Sequence, residues 1–235
     1  MSGLIDTATM IMRASSQRID VAAINVANVS TSGFKRQLRG ADAMASATAP
    51  FDAALARVRV DLAAGKLMDT GRPLDLAING DGYFQLRAGD RLVYSRQGGF
   101  ALAADGRVLT PQGYALQQVG GGDLVLDTAT FKVAGDGTVL DGDRALGRIT
   151  VMRAREGSDA EAIDGALFAI RDDAVEDVAA PSLRQGALEA SNVLLGDEMI
   201  SMMGALRGAE TGARLVQVYD DLMGKAISTF GQVGR

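Results

Sequence analysis

Leu188, Leu195, Met202, Ala209, Val216, Met223 and Phe230 recur at intervals of seven, and no other feature of this 235-residue chain constrains its fold as tightly. Met199, Leu206, Ala213 and Ile227 fill companion positions, which Asn192 and Asp220 interrupt. An apolar residue at every seventh position keeps one narrow stripe of a helix facing a partner. A helix from Leu188 to Phe230 is a rod of ~65 Å, longer than a globular domain of this mass is wide, so it needs a partner along its length. Gly196, Gly204, Gly208 and Gly212 lie inside it, each costing about 1 kcal/mol relative to alanine in an isolated helix. The last three follow one another at intervals of four, close to one face, where small residues let a second backbone approach. An ordinary long core helix with tolerated glycines is the plainer reading; a helix held mainly by packing between molecules explains both the length and the glycines.

The other end of the chain has the same character. From Ile5 to Val29 there is neither glycine nor proline, and Ile5, Met12, Ile19 and Val26 repeat by sevens beside Ala8, Ala22 and Val29, with Ser15 interrupting the second series. The spacing predicts a helix of about 25 residues, ~37 Å long, ending at Ser30-Thr31-Ser32-Gly33. Its seam is expected to pack against Leu195, Met202, Ala209 and Val216. Met10, Met12, Met199, Met202, Met203 and Met223 cluster in these two segments and suit an interface of irregular gaps, as they equally suit ordinary core filling. Residues 1–40 hold five Lys or Arg and two Asp, while 187–235 hold four basic and six acidic residues. The ends should therefore attract, though exposed charge pairs contribute little and the apolar seam must supply most of the affinity.

Between the ends the pattern changes to short apolar runs, such as Leu74-Asp75-Leu76-Ala77-Ile78 and Tyr83-Phe84-Gln85-Leu86. Asp-Gly pairs at 81–82, 105–106, 136–137, 141–142 and 164–165 punctuate them. Asp-Gly readily takes the positive φ angles of tight hairpins. The expected fold is therefore mixed: an all-β central domain of short antiparallel strands, flanked by long N- and C-terminal α-helices that form a coiled-coil-like assembly domain. The boundaries read as an N-terminal assembly helix over 1–36, a connector over 37–71, the β domain over 72–180 and a C-terminal assembly helix over 181–235.

Cysteine and histidine are both absent, which removes thiolate nucleophiles, disulfides, thiolate or imidazole metal sites and imidazole bases. A net charge of −5 with no basic tract opposes binding to nucleic acid or anionic membranes. Asp141 and Asp143 lack the spacing of a calcium loop and read as turn residues, so no metal site is expected. Gly120-Gly121-Gly122-Asp123 has neither a following helix nor the Lys and Ser or Thr of a phosphate loop, and reads as a hairpin. No basic segment followed by an apolar core opens the chain, and no window approaches a membrane span, so a water-soluble chain without membrane insertion is expected. Neither catalytic residues nor a cofactor are expected.

Asn25-Val26-Ala27-Asn28-Val29-Ser30-Thr31-Ser32-Gly33-Phe34-Lys35-Arg36 resembles the N-terminal signature of the flagellar rod and hook protein family. Leu188-Glu189-Ala190-Ser191-Asn192-Val193, followed by Glu198, Met199, Met202, Arg207 and Glu210, is similar to the family's C-terminal signature. Residues 74–84 and Tyr94-Ser95-Arg96-Gln97-Gly98-Gly99-Phe100 resemble the motifs that open its β domain. Short length and a single middle domain resemble a rod member more than a hook subunit, and a proximal more than a distal rod member.

The resemblance implies a non-enzymatic structural subunit of the flagellar basal-body rod that transmits torque from motor to hook. Its partners would be other rod proteins, copies of itself and the flagellar type III export apparatus, which would deliver it to the periplasmic rod without a cleaved signal peptide. The implied assembly residues are Ile5, Met12, Ile19, Asn25, Val26, Asn28, Thr31, Gly33 and Phe34 at one end. At the other they are Leu188, Asn192, Leu195, Met199, Met202, Leu206, Ala209, Val216 and Met223. Alternatives are a distal-rod or hook-type axial subunit, or a flagellar regulatory or export-related binding module. A cell-wall carbohydrate enzyme is disfavoured, because no acid/base constellation is visible.

Overall fold

The computed structural model describes residues 2–39, 58–127, 131–155 and 161–233. Of the expected connector, 37–71, residues 40–57 lie outside the described residues, and Gln37–Arg39, Val58–Val60 and Leu67–Asp69 are strands. Helix α1 is Ser2–Ala27 and helix α2 is Leu195–Val233; a mostly antiparallel β region lies between them in the chain. Neither helix is long and apolar enough to cross a membrane.

The C-terminal helix begins later than the heptad spacing suggests. Ala187–Glu189 is a strand, pairing antiparallel with Leu67–Asp69 so that Leu188 stands opposite Met68. Ala187 and Glu189 are buried and Leu188 between them is half-buried, the two-residue alternation of a strand. Leu188 falls into the sevenfold series by coincidence of spacing, and Asn192 also precedes the helix. Leu183–Gln185 is likewise a strand, paired with Leu76–Ile78, so the part of 181–235 before Leu195 is not helical. α2 keeps 39 residues, ~58 Å at 1.5 Å per residue. Asp197 and Glu198 occupy its first turn, where carboxylates offset the helix dipole.

The chain divides into two compact units. Among the described residues, one consists of Asn28–Arg36 and the part of the chain from Arg59 to Val193; the other contains α1, Gln37–Arg39, Val58 and the residues from Leu194 through α2. In the first, Tyr83–Ala88 pairs with Arg91–Ser95, with Phe84 opposite Ser95 and Leu86 opposite Val93. Ala115–Leu116 and Val151–Ala154 also pair with Tyr83–Ala88. Four of the Asp-Gly pairs turn hairpins as expected. Asp105-Gly106 joins Ala101–Leu102 to Val108–Leu109, and Asp164-Gly165 joins Glu161–Asp164 to Leu167–Ala169. Asp136-Gly137 and Asp141-Gly142 join three successive strands, Lys132–Val133, Thr138–Asp141 and Arg144–Arg148.

The core of this unit is built from Phe84, Leu86, Phe100, Leu116, Val139 and Ile149, all almost fully buried. The rings of Phe84 and Phe100 meet edge to face at 5.4 Å between centroids, a favoured aromatic geometry.

Candidate assembly interface

In the helical unit α1 packs against α2, and the contact is made by small residues. Ala8, Ser15 and Ala22 are buried on α1, as are Ala205 and Gly212 on α2. A Cβ placed on Gly208 would meet Ser15 Oγ at 2.6 Å, and one on Gly212 would meet Met12 Cγ at 2.6 Å and the Ala8 carbonyl oxygen at 3.1 Å. Residues ascending along α1 thus face residues descending along α2, so the helices run antiparallel. At Gly212 the facing helix, backbone included, occupies the space of a side chain, whereas at Gly208 a methyl group would require the Ser15 hydroxyl to turn away. Gly204, four residues from Gly208, has nothing within 4 Å. Steps of four overshoot the 3.6-residue turn by about 40° each, which carries Gly204 off the contact.

On α1 the second of the two expected series lies deeper than the first. Ser15, which interrupts one series on paper, is buried at the contact, whereas Ile5 and Met12 are exposed and Ile19 and Val26 half-buried. On α2 the half-buried Met202, Ala209, Val216 and Met223 share the inner face with Ala205 and Gly212, three residues further on in each repeat. The expected companions stood four residues on, and there Met199 and Leu206 are exposed. Leu195 is exposed too, Ala213 is half-buried, and the side chain of Phe230 lies outside the described residues. Spacing alone gives methionine and leucine most of the seam; in the pair, alanine, serine and glycine line the closest approach beside Met202, Val216 and Met223, because small side chains let two helices come closest. What remains outside is a ridge containing Met199, Ile200, Met203 and Leu206, with Ile200 66% exposed.

Charge does not reside where the end-to-end balance suggested. Within α1, Arg13 and Arg18 cancel Asp6 and Asp20. Of the cations that make the first forty residues positive, Lys35 is buried in the β-containing unit.

Lys35 belongs to the second feature, a polar cluster where four stretches of that unit cross. Glu189 Oε1 accepts from Lys35 Nζ at 2.6 Å and from the Gly65 amide at 2.8 Å, and Oε2 accepts from Arg96 Nη1 at 3.1 Å. The three side chains are 1–6% exposed. Lys35 also donates to the Ala63 carbonyl at 2.6 Å, and Arg96 Nη2 donates to that of Gly80 at 2.7 Å. The Arg96 guanidinium also lies 5.4 Å from the Tyr83 ring centroid. Burial pushes the Lys35 ammonium below its usual pKa, against the opposing pull of Glu189. One carboxylate shared by two cations meets the rule that a buried charge must be paired.

Neutral contacts extend the cluster. Asn192 Oδ1 accepts from the Arg36 amide at 2.6 Å, and Nδ2 donates to the carbonyls of Asp61 and Ala63 at 2.9 and 3.0 Å. The Gly33 amide donates to the Glu189 carbonyl at 2.8 Å. Gly33 takes a φ of +69°, and a Cβ there would collide with the backbone of Arg96 and Gln97, so both conformation and space require glycine. Phe34 is fully buried beside it in the chain, and Thr31 Oγ1 donates to Asn28 Oδ1. In the helical unit the buried Asn25 carboxamide bonds Gln37 twice, accepting from its amide at 2.8 Å and donating to its carbonyl at 2.9 Å.

Gly33, Leu188 and Asn192 are therefore placed where stretches of chain cross, Asn28 and Thr31 form a local turn after α1, and Asn25 is buried near the end of α1. Lys35, Arg96 and Glu189 were not singled out as site residues, since burial of a charge leaves no trace in spacing. Their only sequence signal is their place inside the three quoted motifs.

The remaining polar candidates are turn and surface chemistry. Gly120-Gly121-Gly122 closes the turn between Gln117 and Asp123, with the Gln118 amide donating to the Gly122 carbonyl at 3.0 Å. Asp123 forms a short ion pair with Arg87 and accepts from Gln117 Nε2 at 2.8 Å. Hydrogen bonding from Arg87 is the main cause that lowers its pKa to about 2. Asp141 and Asp143 lie at an exposed strand turn, and no group of three or more metal-ligating side chains occurs among the described residues.

Comparison with known proteins assigns family models to three parts of the chain. Residues 1–35 match the flagella basal body rod protein model, 77–141 the flagellar hook protein FlgE/F/G D1 domain, and 184–229 the flagellar basal body rod FlgEFG protein C-terminal model. The chain is 31% identical to the flagellar basal-body rod protein FlgF of Salmonella typhimurium, over 92% of this chain and 94% of that protein. It is 31% identical to FlgF of Escherichia coli over the same shares, and 28% identical to FlgG of Bacillus subtilis over 90% of this chain and 92% of the relative.

Proposed function

Because the chain belongs to the flagellar basal-body rod protein family, we propose that it is a structural subunit of the rod, built into the periplasm-crossing axial structure through its terminal helices. Like its relatives it is a structural protein and not an enzyme. The observation that carries this reading is the apolar ridge on α2. After α1 and α2 have packed, Met199, Ile200, Met203 and Leu206 still face solvent, as do Leu4, Ile5, Met10 and Met12 on α1. Large apolar side chains exposed together mark an interaction surface, and repeated head-to-tail contacts between copies and related subunits build a filament. In that filament the helices form a coiled-coil-like wall, and the contacts carry torque from motor to hook.

The proximal, FlgF-type position is the best supported, since two relatives of that name share 31% identity over nearly their whole length. A distal, FlgG-type position is the alternative, favoured by the B. subtilis relative. Delivery through the flagellar type III apparatus suits helices whose packing is completed only on assembly. The test is a double substitution on the ridge, Ile200→Asp with Met203→Asp. The purified variant is expected to fold, because both positions are exposed, yet to be missing from purified basal bodies and to leave cells non-motile. Normal swimming with the variant present in the rod would refute the reading.

A further inference from the structure

The Lys35–Glu189–Arg96 cluster lies in the β-containing unit, yet two of the stretches it joins are the ones from which the helices continue. α1 ends at Ala27, and the chain that follows it is held at Gly33, Lys35 and Arg36; α2 starts at Leu195, and the chain that precedes it is held at Glu189 and Asn192. Nine of the hydrogen bonds given above converge on so few residues that the two roots are fastened side by side, with Asp61 and Ala63 as a third strand of the knot. We propose that this buried cluster is a positioning device for helix pairing: it brings the roots of α1 and α2 together within the β-containing unit, so that the helices meet at high local concentration. The inference rests on the reading that these helices build the rod.

The physical reason is effective concentration. Two weak helices separated by most of the chain would have to close a long loop before any contact formed. Once their roots are fixed with only a few residues of slack, each helix meets the other at an effective concentration in the millimolar range. That suits a contact whose closest approach is lined by alanine, serine and glycine, side chains that each bury little area. Charge makes the knot selective as well as firm. Glu189 is satisfied only when Lys35, Arg96 and the Gly65 amide all arrive, and a misplaced crossing would leave a buried charge unpaired, which is strongly unfavourable.

Two substitutions loosen the roots while leaving the charges balanced. Lys35→Met keeps a buried stem and leaves Glu189 paired one to one with Arg96. Asn192→Ala removes the neutral clasp on Arg36, Asp61 and Ala63. Amide hydrogen exchange of the full-length, dilute chain is the readout. In the double variant, exchange within residues 8–22 of α1 and 205–216 of α2 should accelerate at least tenfold, each single variant giving a smaller change in the same direction. Amides of Phe84, Leu86 and Leu116 should keep their wild-type rates, which a merely structural role of the cluster would not permit. Unchanged exchange in both helices, or equal acceleration in the helices and the β core, would overturn the proposal. Incorporation of the wild-type chain into rods is scored separately, so failure here leaves the structural assignment intact, and the reverse also holds.

Discussion

The two units of this chain solve the same problem with opposite materials. In the β-containing unit the large apolar side chains are inside: Phe84, Leu86 and Leu116 have no measurable exposure. In the helical unit small residues line the closest approach of the helices and several large apolar ones stand outside, with Ala8 and Ala22 buried while Ile200 and Ile227 are about two-thirds exposed. The first arrangement makes a core that is complete in one molecule. The second makes a pair of helices that approach closely and leave Met199, Ile200, Met203 and Leu206 exposed. If the proposed rod contacts are made by the exposed helical surface, a substitution should act on stability or on assembly according to the unit in which it falls.

The largest effect that would sharpen this contrast is expected from Phe84→Ala. Removing a fully buried ring that packs on Phe100 should cost about 3–5 kcal/mol, measured as the fall in urea-unfolding free energy of the β signal, with no matching change at the exposed ridge. A loss below about 1 kcal/mol would break the comparison by showing the β core to be loosely packed.

Next come the glycines of α2, where two chemically identical changes should differ in sign. Gly204→Ala adds a methyl group in open space and should stabilise the helix by about 0.5–1 kcal/mol. Gly212→Ala has the same intrinsic gain but puts its methyl against Met12 and the Ala8 carbonyl, so it should show no net gain and should weaken the α1–α2 contact. Helical circular dichroism against temperature distinguishes them; equal stabilisation of both would mean that the close approach is not a constraint.

The smallest effect is electrostatic and confined to the β-containing unit. The Asp123 carboxyl titrates at about 2 rather than at its ordinary 3.8. A group whose folded pKa is depressed contributes stability that is whole above its unfolded pKa and is lost as pH falls through the folded one. Asp123 should therefore support the fold fully above pH 3.8 and lose that support on the way to about pH 2. Asp123→Asn should flatten the acid limb of the unfolding curve in this window and cost about 1 kcal/mol or less at neutral pH, given a half-exposed Arg87. An unaltered acid limb would show that this ion pair does not couple to folding.

Much of the architecture was legible along the chain. Absence of glycine and proline from Ile5 to Val29 predicts α1, which runs Ser2–Ala27. Aspartate followed by glycine predicts hairpins, because the positive φ is a local demand that the dipeptide meets by itself. The start of α2 was not legible, because Leu188 satisfies a sevenfold spacing and a strand register at once. The inner face of the helix pair was also hidden. Spacing ranks residues by hydrophobicity and so favours Met199 and Leu206, while the contact selects residues by how closely the backbones approach, which puts Ser15 and Gly208 there instead.

Taken alone, the order of amino acids determined the element types, the family and the absence of imidazole and thiol chemistry, since each of these depends on local propensity or on residue identity. Only the tertiary structure decided that Lys35, Arg96 and Glu189 meet, residues drawn from three distant motifs and buried as one charge-sharing group. A charge on paper is solvated by default; whether it is buried depends on which remote partners the completed fold delivers to it, and no local pattern carries that information.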